Sequence, residues 1–136
     1  MKVDGACHCG FITFEAEVDP EKTAVCHCAD CQTLSGAPYR ASIPTTPDSF
    51  RLVSGEPANY VKTAESGNKR VQAFCPKCGS PLYATAFGDP TAILNIRVGV
   101  IRQRDQLVPK RQLWGRSRQS WVDTLLSIVR LEKQSA

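Results

Sequence analysis

Phe74-Cys75-Pro76-Lys77-Cys78-Gly79-Ser80 is the stretch on which the reading of this chain turns. Two cysteines three positions apart, with a glycine after the second that lets the backbone fold around its sulfur, make a tight turn suited to gripping a metal ion. Val71 to Cys75 leads into the turn and Leu82 to Phe87 leads out of it, both with strand character. Cys9-Gly10 repeats the same cysteine–glycine ending near the start of the chain.

Seven cysteines fall into three clusters: Cys7-His8-Cys9-Gly10, Cys26-His27-Cys28-Ala29-Asp30-Cys31 and Cys75-Pro76-Lys77-Cys78-Gly79. A disulfide framework scatters its cysteines and leaves none over. Spacings of two and three residues let several sulfurs converge within about 2.3 Å of one ion. Metal is therefore the reading. In an extended segment residues i and i+2 share a face, so Cys7 and Cys9, and likewise Cys26 and Cys28, can hold one ion while His8 and His27 turn outward. A kinked chain would instead make either histidine a ligand.

A structural zinc takes four ligands, and the two glycine-ended pairs Cys7/Cys9 and Cys75/Cys78 supply them. Cys26, Cys28 and Cys31 remain, giving a second zinc with three protein ligands and an open fourth position, the arrangement of a catalytic site. The competing arrangement is a closed second site completed by His27, Asp30 or a water, with one cysteine left as an ordinary buried thiol.

With 136 residues, 42% hydrophobic and 22% charged, the chain is expected to form one globular domain over residues 1–136. No apolar run approaches the ~20 residues that cross a bilayer, and the first residues lack the apolar core of a secretion signal, so a cytoplasmic protein without a membrane partner is expected. Ile12, Phe14, Ala16 and Val18 alternate with polar residues up to the Asp19-Pro20 break. Further strands are predicted around Tyr39 to Ile43, over Phe50 to Val53, over Asn59 to Thr63 and from Ala92 to Val100. The fold class is mainly β: a small zinc-bearing mixed sandwich of antiparallel sheets, with a short C-terminal helix opening at Ser120 and packing its Trp121 face onto the sheets.

The net charge of +4 is concentrated between Arg102 and Arg118, where six basic residues face one acid, Asp105. Such a stretch attracts anions or is solvated surface. Only Trp114 stands in it, without a row of aromatic residues for stacking bases, so nucleic acid is not the expected partner.

Together, Gly5-Ala6-Cys7-His8-Cys9-Gly10, Cys26-His27-Cys28-x-x-Cys31-Gln32 with Ser35-Gly36, Phe74-Cys75-x-x-Cys78-Gly79-Ser80 and the late Trp121 resemble the glutathione-dependent formaldehyde-activating enzyme family. The resemblance implies a carbon–sulfur lyase that reversibly joins formaldehyde to the thiol of glutathione. It also implies two Zn2+ per chain, a structural one on Cys7, Cys9, Cys75 and Cys78 and a catalytic one on Cys26, Cys28 and Cys31, and a glutathione-like small-molecule thiol as partner. Arg40, and the basic stretch at Lys110 and Arg111, are candidates to meet substrate carboxylates. The chain departs from the family pattern at Arg102, Arg104 and Gln112, where acidic residues and a histidine are usual. The alternative function is a non-catalytic zinc-binding module for a small thiol, a protein or a nucleic acid.

Overall fold

The computed structural model describes residues 1–134. In chain order its elements are β1 (Lys2–Ala6), β2 (Thr13–Glu17), β3 (Ala24–Cys26), α1 (Ala29–Ser35), β4 (Arg40–Thr45), β5 (Phe50–Ser54), β6 (Ala58–Thr63), β7 (Lys69–Phe74), β8 (Pro81–Ala86), β9 (Leu94–Arg97) and β10 (Arg111–Leu113). They form a three-stranded sheet, β1-β2-β5, and a seven-stranded sheet, β10-β3-β4-β9-β8-β7-β6. All pairings are antiparallel except β10 with β3, which is parallel. The fold is mainly β, with two facing sheets and a single α-helix among the described residues.

The alternation read from Ile12 to Val18 does its work here. Phe14 and Ala16 of the small sheet, with Val18 just beyond it, bury against Ile43 and Ile96 of the large one and against Val98 and Ile101, which follow β9. Each fully covered aliphatic side chain contributes about 1.5–3 kcal/mol by leaving water. Gly5 lets the layers meet: a Cβ there would lie 2.2 Å from the Val100 carbonyl oxygen and 2.4 Å from the tip of the Phe14 ring. A smaller cluster of Cys7, Ile12, Cys75 and Leu82 closes one end of the core.

The large sheet curls strongly. Although β9 and β8 separate β4 from β7, the Arg40 guanidinium of β4 reaches the Gln72 side chain of β7, Nη1 donating to Oε1 at 3.4 Å. Asp30 of α1, just beyond β3, pairs with Lys62 of β6 at 2.7 Å. The face turned away from the small sheet therefore encloses a polar interior.

Two expectations need correction. The strand predicted from Ala92 to Val100 is regular only over Leu94–Arg97 and tightens into a 3₁₀ turn at Val98–Val100. The C-terminal helix is present as 3₁₀ turns over Ser120–Ser127, without a packed face: Trp121 and Leu125 stay about half exposed and Leu126 is fully exposed. A 3₁₀ turn repeats every three residues, so the 3.6-residue spacing does not gather these side chains on one side. β1, β3, α1 and β10 were not anticipated. No helix among the described residues is long and apolar enough to cross a membrane.

Candidate metal centres

The four cysteines Cys7, Cys9, Cys75 and Cys78 come together with all four sulfurs within 4.8 Å of one another. Two turns of like construction deliver them. After β1 the chain turns through Gly10 at φ 81°, and after β7 through Gly79 at φ 76°, left-handed conformations that glycine adopts without strain. The turns clasp each other: the His8 amide donates to Ser80 Oγ at 3.0 Å, and Lys77 Nζ lies 4.1 Å from the centre of the Phe11 ring. Cys7 Sγ is 3.6 Å from Cys9 Sγ, which is 3.8 Å from Cys75 Sγ. A tetrahedron with metal–sulfur bonds of ~2.3 Å has edges of about 3.8 Å, so the donor set fits a tetrahedral thiolate metal such as zinc.

Backbone groups prepare these sulfurs for negative charge. The Ile12 amide donates to Cys7 Sγ at 3.2 Å and the Lys77 amide to Cys75 Sγ at 3.4 Å. At Cys78, hydrogen bonding from the Ser80 hydroxyl and then from backbone amides brings the thiol down to about 5.

Cys26, Cys28 and Cys31 form the second group, with sulfurs also within 4.8 Å of one another. Cys26 ends β3. Cys28, extended at φ −61° and ψ 154°, is the N-cap of α1, its sulfur accepting from the Cys31 amide at 3.3 Å, and Cys31 lies in the first turn. Strand end, cap and helix turn thus aim three side chains at one point within six residues. The Cys31 thiol, followed by the Cys28 amide and thiol, holds Cys26 down at about 5 against burial, and the same hydrogen bond pushes the Cys31 thiol up. Among the described residues no fourth cysteine, histidine, aspartate or glutamate joins the three.

Neither histidine belongs to a cluster. His8 is exposed. His27 does point away from the flanking sulfurs but, contrary to expectation, turns into the protein: it is 1% exposed, packs edge-on against Tyr39, and its Nε2 donates to Gln112 Oε1 at 2.8 Å. Gln112 thereby has a structural use, fastening β10 beside β3. Gln32 strengthens the fastening, its amide nitrogen donating to the carbonyls of His27 and Ser117 at 2.8 and 3.0 Å. Asp30 is exposed and turned to Lys62 instead of the sulfurs.

Two cavities bear on the three-cysteine group, one through Cys28 itself and one through Arg40, which stands opposite Cys26. One of about 390 Å³ is lined by Cys28, Asp30, Lys62, Glu65, Trp114 and Ser117. Trp114 walls it from a left-handed conformation, φ 55°, unusual for a bulky residue. The other, about 200 Å³, contains Arg40 and Arg97. A further depression, about 650 Å³, lies over Lys2, Asp4, Glu15 and Phe50 of the small sheet and is lined by none of the cysteines.

The basic stretch is largely neutralised. Arg102 pairs with Asp4 at 2.8 Å, Lys110 with Glu21 at 3.6 Å, Arg116 with Glu65 at 3.3 Å, and Arg118 with Asp123. Lys110 is thus occupied away from the cysteines. Arg40, by contrast, stands opposite Cys26 in the β3–β4 register. Arg97 was not singled out in the sequence, where it reads as a solvent-side residue of an alternating strand.

These features agree with known proteins. A Rhodobacter sphaeroides protein of known crystal structure shares the fold, with a TM-score of 0.60 at 18% identity, over 80% of this chain and 98% of its own. An uncharacterized lyase of Schizosaccharomyces pombe is 31% identical over 80 residues, 59% of this chain, and the match spans 55% of that relative's length. The family model described as glutathione-dependent formaldehyde-activating enzyme matches residues 2–117, which include all seven cysteines. The chain belongs to the glutathione-dependent formaldehyde-activating enzyme family.

Proposed function

We propose that the protein is a zinc-dependent carbon–sulfur lyase, forming and cleaving the adduct of an aldehyde with a glutathione-like thiol such as S-hydroxymethylglutathione. The observation that carries this reading is the three-cysteine group, with three converging sulfurs, no fourth ligand among the described residues and a cavity of about 390 Å³ opening at Cys28. Cys26, Cys28 and Cys31 would hold the catalytic zinc, and Cys7, Cys9, Cys75 and Cys78 the structural one, two Zn2+ per chain. When bound at the first site, zinc supplies Lewis acidity that favours the thiolate form of an entering thiol.

The chain's own residues do the rest. The cavity between Lys62 and Trp114 admits the thiol and orients it along α1. In the forward direction the substrate sulfur attacks the aldehyde carbon, forming the carbon–sulfur bond, while the carbonyl oxygen takes up a proton. The reverse breaks that bond and returns the pair of electrons to sulfur. Arg40, opposite Cys26, offsets the negative charge that three thiolates bring into a half-buried place. Seven unbridged cysteines suit a reducing compartment, and we place the protein, as one domain over residues 1–136, in the cytoplasm.

Elemental analysis of protein purified under reducing conditions, alongside a Cys28→Ser variant, tests the reading. Two zincs per chain falling to one in the folded variant, with loss of S-hydroxymethylglutathione cleavage followed by NMR, is the expected result. One zinc in both proteins, even after zinc is supplied, would replace the lyase by a module with structural metal alone.

A further inference from the structure

Beside Arg40, which stands opposite Cys26, and Gly79, which follows Cys78, lies the cavity of about 200 Å³, lined also by Leu34, Gln72, Phe74 and Arg97 among others. Its two guanidinium groups lack an anionic partner. Arg97 donates to Ser42 Oγ at 2.9 Å and to Gln72 Oε1 at 2.7 Å, and Arg40 makes a long 3.4 Å contact to the same Gln72 oxygen. One neutral amide oxygen thus serves two cations. Arg40 is 6% exposed, yet its Nε and Nη2 have no hydrogen-bond partner, and neither has Arg97 Nε. No aspartate or glutamate among the described residues pairs with either side chain.

Leaving charged donors buried and unpaired is costly, and setting two like charges side by side adds to the cost. Burial, and then the charge of Arg40, pull Arg97 down to about 10. The cysteine thiolates oppose burial at Arg40 but accept none of its hydrogen bonds.

We infer that the Arg40–Arg97 pair seats a carboxylate of the thiol substrate, and specifically one with no ammonium beside it. This rests on the reading of the three-cysteine group as a thiol site. An α-amino-acid end would bring its ammonium against two guanidinium groups, whereas a glycyl carboxylate brings only the anion. The cavity is smaller than the ~300–1,000 Å³ that enclose whole drug-sized ligands, so it holds this end of the molecule and not all of it. Arg forks match carboxylate geometry, which also explains two arginines where lysines would supply the same charge.

Calorimetric binding of S-methylglutathione to the zinc-loaded protein tests this without using turnover, because the thioether has no thiol to ionise. The expected results are a loss of about ten- to a hundred-fold when the glycine carboxylate is replaced by an amide, as for a charge-assisted hydrogen bond, and little loss when the γ-glutamyl carboxylate is replaced instead. Arg97→Gln should weaken S-methylglutathione by a similar factor and erase the acid-over-amide preference, with zinc content unchanged. Equal affinity of acid and amide, or a preference that survives in Arg97→Gln, would overturn the inference. Should Arg97→Gln fold poorly, Arg97→Lys decides by the same comparison: a preference reduced at least ten-fold supports the fork, and an undiminished one sinks it. Binding of 3-(methylthio)propionate, dependent on Arg97, in protein that ignores S-methylglutathione would uphold the carboxylate seat and remove glutathione as the substrate.

Discussion

The two cysteine groups use the same atoms in different ways. Cys9 and Cys75 are 66 positions apart, and their group draws on two separate turns that rest on Ile12 and Leu82 of the core. Cys26, Cys28 and Cys31 come from one strand end and one helix turn, all partly exposed, with a cavity opening at Cys28. A site assembled from distant segments ties the fold together. One assembled locally can be opened, loaded and emptied while the fold persists.

The sharpest way to break this contrast is to remove a ligand from the long-range group. With zinc at this group as proposed, Cys75→Ser should unfold the protein at ordinary temperature, because a structural zinc contributes on the order of 10 kcal/mol to folding. Far-ultraviolet circular dichroism resembling an unfolded chain is the expected outcome, and a folded Cys75→Ser protein would show that the core stands without that metal. A smaller effect should come from His27→Leu, which removes the bond to Gln112 and with it part of the fastening of β10. The expected cost is about 1–3 kcal/mol in a denaturation midpoint, with weaker zinc binding at the three-cysteine group only. Equal weakening at both groups would mean that they are not independent. The smallest change is expected for Lys62→Ala, since a pair whose Asp30 side chain is 53% exposed gives about 0–1 kcal/mol. Its use is to show whether that pair shapes the mouth of the larger cavity, read as a change in KM without one in stability.

Both groups were legible in the sequence because sulfur spacing is a local property. Gly10 and Gly79 announced the turns, and the alternation from Ile12 to Val18 announced the sheet that supports one of them. α1 escaped notice because Ala29–Ser35 is only seven residues long and its cap is Cys28, a residue that rarely caps a helix. β3 and β10 are three residues each, too short for any periodicity, and their pairing depends on contacts made late in the chain. Arg97 shows a different limit. Between Ile96 and Val98 it reads as the wet side of a strand, a sound rule for a flat sheet with one dry face. Curling turns that face inward, and curvature is a tertiary property with no local signal. The exposed C-terminal turns err in the opposite direction: the apolar spacing of Trp121, Leu125 and Ile128 suggested a packed helix, but no element among the described residues covers them.

The parallel pairing of β10 with β3 also sets a timetable. A ribosome adds about 5–20 residues per second, so roughly 80 residues separating Cys31 from Leu113 amount to several seconds of synthesis. During that interval the three neighbouring thiols have already emerged, while the strand that flanks them and the Trp114 wall do not yet exist. The larger cavity is therefore among the last features of the molecule to be completed. A ribosome stalled once Cys31 has left its exit tunnel, but before Leu113 is added, would display the three sulfurs to any metal or oxidant around it, without the surroundings that choose between them.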